Sequence, residues 1–221
     1  MEFFLDSAQI DQIKRFMPYG IVDGITTNPS ILAKSSNLNN QSFEQIVCQL
    51  SQNVSGLISL EVTADNYNDM LIQGNKILSM AKNIMLKLPI NWDGVAACKY
   101  FSAQGHKVNM TLCFSVTQGL LAAKAGAYCV SPFIGRLDDI GHDGLGFLAE
   151  LKKVFGNYPA LKTKILAASI RNISHVYSAA KIGVDIVTMP PEVMEKLINN
   201  PLTDAGIKQF ENDWQKSNLS I

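Results

Sequence analysis

Ile84-Met85-Leu86-Lys87-Leu88-Pro89 is a short run, apolar but for one lysine and closed by a proline. Such a run reads as a strand buried on both faces, the kind found in parallel sheets covered by helices. The lysine within it is the chemical anomaly. An ammonium there gives up hydration, which favours the neutral amine, and a neutral lysine is a nucleophile that can form a Schiff base with a carbonyl. The plain alternative is a lysine whose head snorkels from the strand end into water.

Outward from this run, similar short apolar stretches recur at 3–5, 24–26, 57–62, 83–88, 108–112, 128–131, 164–168 and 185–189. Segments of helical period lie between them. Ile10, Ile13 and Met17 share one face after a cap candidate at Ser7, with Gly20 as a stop. Phe43, Ile46, Val47 and Leu50 follow the i, i+3, i+4, i+7 spacing, as do Tyr67, Met70, Leu71, Ile77, Leu78 and Ala81, and Leu145, Leu148, Leu151 and Phe155. Eight strand–helix units in a chain of 221 residues predict a compact α/β fold, the (β/α)8 TIM barrel. An open doubly wound sheet is the alternative, but no G-x-G-x-x-G follows an early strand. One barrel domain is expected over 1–221, with an extra C-terminal helix over about 203–216. The stripe Ile207, Phe210 and Trp214 on that helix has to be covered, by preference over the barrel and otherwise against a neighbouring subunit.

Hydrophobic residues make up 47% and charged residues 17%, with a formal net charge of zero, so the composition is that of a globular chain and does not suggest nucleic acid or an anionic membrane as partner. No apolar run approaches the roughly 20 residues that span a bilayer. The first residues, Met1-Glu2-Phe3-Phe4-Leu5-Asp6, lack the basic and apolar regions of a signal peptide. Cys48, Cys98, Cys113 and Cys129 show no C-x-x-C spacing and sit in apolar segments, which reads as reduced, buried thiols in a cytoplasmic protein.

In barrels the active site is built where the strands end. The residues there are Asp6, Asn28, Glu61, Lys87, Asn109 with Thr111, Ser131 with Phe133 and Arg136, and Ser169 with Arg171, while the eighth strand offers only Thr188 and Met189. Each has a dull explanation: Asp6-Ser7 can start a helix, Asn28-Pro29-Ser30 is a good cap, Glu61 can simply pair with Lys87, and Arg136 can bridge to Asp138 or Asp139. As a set they are harder to dismiss, because buried polar groups without purpose are costly. With Lys87 as nucleophile, Glu61 can serve as general acid/base directly or through a water held by Thr111. Asp6 and Asn28 can bond sugar hydroxyls, and Arg136 and Arg171 with the Ser169 hydroxyl suit a phosphate.

Gly24-Ile25-Thr26-Thr27-Asn28-Pro29-Ser30, the Lys87 strand, Asn109-Met110-Thr111-Leu112, Ser131-Pro132-Phe133-Ile134-Gly135-Arg136 and Ala167-Ala168-Ser169-Ile170-Arg171 together resemble the transaldolase family. The short length and the Phe210 to Trp214 segment are similar to its small-subunit branch, which includes fructose-6-phosphate aldolases. The resemblance implies a Schiff base on Lys87, acid/base carboxylates at Asp6 and Glu61, and a water held by Thr111. It implies donor-sugar contacts from Asn28, Asn109 and Ser131, with Thr26 and Phe133 among the substrate contacts, and a phosphate site at Arg136, Ser169 and Arg171. Aldolase members of the branch typically carry glutamine in place of Glu61 and tyrosine in place of Phe133, so those two positions and Asn109 imply transaldolase activity in the non-oxidative pentose phosphate pathway. Two departures, Asn91-Trp92 after the lysine strand and Cys113 beside Thr111, bear on substrate preference. The resemblance also implies a homo-oligomer, a pentamer or a decamer.

Two other readings remain in view: an aldolase releasing free dihydroxyacetone, and a non-catalytic barrel that binds sugar phosphates. No cofactor is expected, since a protonated imine is itself the electron sink. The loop Asp138-Asp139-Ile140-Gly141-His142-Asp143 has metal-type groups, but crowded round a turn they suit a helix start and a partner for Arg136 better than a metal site. His106, His175 and the Lys152-Lys153 pair are expected to be surface or structural residues.

Overall fold

The computed structural model describes residues 1–217, 219 and 220; Asn218 and Ile221, inside the expected domain, lie outside the described residues. Strands β1 (Glu2–Asp6), β2 (Gly24–Thr26), β3 (Leu57–Glu61), β4 (Ile84–Pro89), β5 (Val108–Cys113), β6 (Cys129–Pro132), β7 (Lys164–Ala167) and β8 (Ile186–Met189) pair in parallel in chain order. β8 returns to β1, which closes the barrel. Around it run α1 (Ile10–Phe16), α2 (Pro29–Asn39), α3 (Phe43–Asn53), α4 (Tyr67–Leu78), α5 (Trp92–Ala103), α6 (Val116–Lys124), α7 (Ile134–Asp138), α8 (Gly144–Gly156), α9 (Ile173–Ile182) and α10 (Pro191–Lys196), and α11 (Pro201–Ser217) follows. The architecture is the expected (β/α)8 barrel with a C-terminal helix.

Side chains alternate across each strand, and the two sets serve different cores. Leu5, Ile25, Leu60, Leu86, Met110 and Val187 belong to the large core that includes the apolar helix faces. Phe4, Met85, Cys129, Leu166 and Ile186 form a second cluster. Leu86 and Leu88 are wholly buried, and each contributes about 1.5–3 kcal/mol by leaving water. The Phe4 ring leaves no room beside it on β2: a Cβ on Gly24 would lie 2.6 Å from Phe4 Cζ. Two residues along β1, β4, β6 and β8 from that second cluster stand Asp6, Lys87, Ser131 and Thr188. The same alternation that fills the barrel with apolar groups therefore ends it with polar ones.

Three expectations need correcting. The first helix is capped at Gln9, not Ser7; Ser7 Oγ accepts from the Gln9 N–H and donates to Gln12, so the chain turns before helix begins. Cys48 is exposed, because it lies off the buried stripe of Ile46, Val47 and Leu50 on α3. The other three thiols are buried, and burial pushes Cys98 up to about 11 and Cys113 up to about 12. Finally, α11 buries none of its residues, and Phe210 is 72% and Trp214 42% exposed. Its stripe does not fold over its own barrel.

Candidate active site

Register places the principal groups side by side. Glu61 is the β3 partner of Lys87 on β4, and Asn109 on β5 is the next. Lys87 Nζ lies 3.0 Å from Glu61 Oε2 and donates to the Thr27 carbonyl at 2.8 Å, with only 4% of its side chain exposed. The amine therefore does not snorkel into solvent. It is held at two points inside the barrel.

A hydrogen-bonded chain crosses the seam where the barrel closes. Thr26 Oγ1 donates to Asp6 Oδ1 at 2.8 Å, so the 2.6 Å contact between Thr26 and Thr188 is made with the Thr188 hydroxyl donating. Burial pushes the Asp6 carboxyl above its ordinary range; the Thr26 bond and the Lys87 charge pull it back, and Glu61 adds to the rise. Opposite, Ser131 Oγ donates to Asn109 Oδ1 at 2.6 Å, and Asn109 Nδ2 donates to Ser59 Oγ at 3.1 Å. Among the described residues, Thr111 Oγ1 is the one buried side-chain polar atom with no hydrogen-bond partner.

Asp6, Thr26, Asn28, Lys87, Asn109, Ser131, Phe133, Arg136, Ser169 and Arg171 all line one cavity of about 180 Å³. Glu61 and Thr111 do not line it. Glu61 meets the cavity through its contact with Lys87 and opens instead on a hollow beside Pro29, Phe43 and Lys76. Larger hollows lie elsewhere, one of about 630 Å³ lined by Gln41, Gln49 and Gln52, but the lysine on its wall, Lys14, is exposed. Asn28 has two uses: its Oδ1 caps α2 by accepting from the Ile31 N–H, and the residue also faces the cavity.

At the other end the Arg136 guanidinium stacks 5.0 Å from the Phe133 ring centre, and Lys87 Nζ is 5.9 Å from the same ring. The expected pairing of Arg136 with Asp138 or Asp139 is not what forms. Asp139 pairs with Arg171 at 2.6 Å and Asp138 with His175 at 3.2 Å, because α7 turns these carboxylates towards the β7–α9 loop. Asp143, as expected for that loop, starts a helix: its side chain caps α8.

The profile of the family described as Transaldolase/Fructose-6-phosphate aldolase matches residues 3–221. The chain belongs to this family. It is 48% identical over its whole length, and the whole of the relative, to a "Probable transaldolase" of Parvibaculum lavamentivorans (strain DS-1 / DSM 13023 / NCIMB 13966). It is 46% identical to another of the same name from Nitrosopumilus maritimus (strain SCM1), covering 98% of this chain and 96% of that one. Among solved structures it is similar to thiamine phosphate pyrophosphorylase from Pyrococcus furiosus, with a TM-score of 0.57 and 13% identity, covering 89% of this chain and 93% of that one. That likeness is one of barrel fold alone.

In this transaldolase-family chain, three groups at the site were missed as site residues in the sequence. Thr188 and Ser59 sit behind Thr26 and Asn109, and the Thr27 carbonyl holds Lys87. Period-two counting from Ile186 and Glu61 puts Thr188 and Ser59 on the inner face. A backbone carbonyl leaves no such trace.

Proposed function

We propose that this chain is a transaldolase that moves a dihydroxyacetone unit from fructose 6-phosphate or sedoheptulose 7-phosphate to an aldose phosphate. It would act in the cytoplasm, in the non-oxidative pentose phosphate pathway, through a Schiff base on Lys87. The observation that carries this reading is the buried amine paired with Glu61 beside a cavity that also holds Asp6 and two arginines.

Once the ammonium gives up a proton, the Lys87 amine adds to the donor ketone. The carbinolamine loses water as an acid returns a proton, leaving an iminium. Glu61, at 3.0 Å from Nζ, is placed to move those protons, and the Thr111 hydroxyl, uncommitted within the described protein, to hold the water. Asp6 takes the proton of the C4 hydroxyl as the C3–C4 bond breaks, and the burial that raises its pKa makes it a better proton acceptor than a solvated carboxylate. The aldose phosphate leaves, and the electron pair stays on the lysine as an enamine. That carbon attacks the aldehyde of the acceptor, and the steps run in reverse. Asn28, Asn109, Ser131 and Thr26 orient the three-carbon unit; Arg136, Ser169 and Arg171 take the phosphate. Phe133 offers no hydroxyl to protonate the enamine, which favours transfer over release.

The first test is glyceraldehyde 3-phosphate release from fructose 6-phosphate with and without erythrose 4-phosphate. Release that needs the acceptor is expected; equal release without it would make the enzyme an aldolase. Phe133→Tyr should raise the acceptor-independent share. Borohydride with donor should add mass to the Lys87 peptide, and modification of a different lysine would refute the mechanism. The exposed stripe of α11 supports assembly into a homo-oligomer, a pentamer or decamer, with that helix on a neighbouring subunit.

A further inference from the structure

Arg171 and Ser169 stand on a loop that does not hold itself in shape. Ser169 is left-handed, with φ 59°, a conformation that costs a non-glycine residue energy unless the surroundings impose it. The loop is clasped from two sides. Against α7 the approach is so close that a Cβ on Gly135 would lie 2.1 Å from the Ser169 carbonyl oxygen and 2.8 Å from Arg171 Cγ. Ile134 N–H donates to the Ala168 carbonyl just before the loop.

The second clasp is His175, on the first turn of α9. Asn172 caps that helix by accepting from the His175 N–H, and the His175 ring reaches back, its Nδ1 accepting from the Arg171 N–H at 3.3 Å. An Nδ1 that accepts leaves the hydrogen on Nε2. Nε2 lies 3.2 Å from Asp138 Oδ2, while Asp138 Oδ1 accepts from the Gly144 N–H at the start of α8. His175 is buried, with 10% of its side chain exposed. It thus connects the backbone of Arg171 to α7 and α8. The neighbouring carboxylate, Asp139, takes the Arg171 guanidinium at 2.6 Å.

We propose that His175 is a positioning residue for the anion end of the cavity. By accepting the Arg171 N–H and donating to Asp138, it fixes where Ser169 and Arg171 present their donors, and so sets affinity for the phosphate of the substrate. The inference rests on the proposed reading of this end as the phosphate site. It concerns ground-state binding of one substrate group and not the chemistry at Lys87, so its signature is a change in KM that depends on phosphorylation.

The test compares His175→Ala, His175→Asn and His175→Gln. An asparagine Oδ1 falls near the position of Nδ1 and can keep the Arg171 bond; a glutamine amide falls near Nε2 and cannot. His175→Ala should raise KM for fructose 6-phosphate about tenfold, the size of one lost hydrogen bond, with kcat little changed. Turnover of unphosphorylated fructose should hold, and His175→Asn should recover most of the loss where His175→Gln does not. Equal losses on fructose and fructose 6-phosphate, or Gln restoring as well as Asn, would overturn the proposal; the Asn–Gln comparison stands even if the alanine variant fails to fold. Inorganic phosphate binding, followed by calorimetry without turnover, separates the two readings. If the native protein binds phosphate and Arg171→Gln abolishes it, but His175→Ala binds as the native protein does, His175 has no such role. If Arg171→Gln leaves phosphate binding unchanged, the phosphate site itself is misplaced and the proposal falls with it.

Discussion

At Lys87 an ammonium has exchanged its hydration shell for one carbonyl and one carboxylate at 2.8 and 3.0 Å. Burial of such a pair is weak evidence for stability, since desolvation offsets much of the attraction, but breaking it is costly. Glu61→Gln is therefore expected to destabilise the fold by about 3 kcal/mol, whereas the double change Glu61→Gln with Lys87→Met should recover much of that loss. Urea denaturation of both variants checks this; a single variant as stable as the native protein would show that the Thr27 carbonyl alone satisfies the amine. Asp6 gives a pH-dependent case. Its folded carboxyl keeps its proton to higher pH than the unfolded chain does, so the native state binds more protons between the two pKa values and stability falls as pH rises through that window. Asp6→Asn, whose carbonyl can still accept from Thr26, should raise Tm at neutral pH, and the gain should fade on acidification towards the ordinary carboxylate range. A gain that grew on acidification would contradict the raised pKa. At this scale the sequence was informative about inner-face residues, because period two marks Asp6, Lys87, Asn109 and Ser131. It was silent about which arginine meets which aspartate, since that depends on how α7 turns.

Among the elements, α2 shows a helix start and a cavity wall sharing one side chain. Asn28 commits Oδ1 to the Ile31 N–H at 2.9 Å, which leaves its amide donor for the cavity. Aspartate caps a helix as well as asparagine does but has no amide hydrogens. Asn28→Asp should hold thermal stability within about 0.5 kcal/mol while weakening donor binding, and a fall in Tm with unchanged KM would place the role of Asn28 in the cap alone. The elements themselves were largely legible: buried runs mark the strands, and helical spacing marks α3, α4 and α8. The exposure of Cys48 was misjudged although its signal was present, for the spacing that buries Ile46, Val47 and Leu50 turns residue 48 away from them. Ser7 was not legible, because a hydroxyl before a helix can cap it or, as here, organise the turn ahead of it.

For the molecule as a whole, periodicity could show that α11 has an apolar stripe but not what covers it, as packing partners are not encoded in spacing. Ile207, Phe210 and Trp214 stand exposed along it, at a spacing that puts them on one helix face. Because α11 buries nothing within the chain, Phe210→Glu with Trp214→Glu should leave the barrel folded and lower the sedimenting mass; an unchanged mass would show that this stripe does not hold subunits together. Closure of the barrel has a further consequence, in the order of synthesis. Thr188 comes late in the chain and reaches Asp6, near its beginning, through Thr26. A growing chain that has not yet reached residue 186 leaves β1 with an unpaired edge, and the seam at the Asp6 end of the cavity stands open. The enzyme's own translation thus withholds a finished site until its last strand is made.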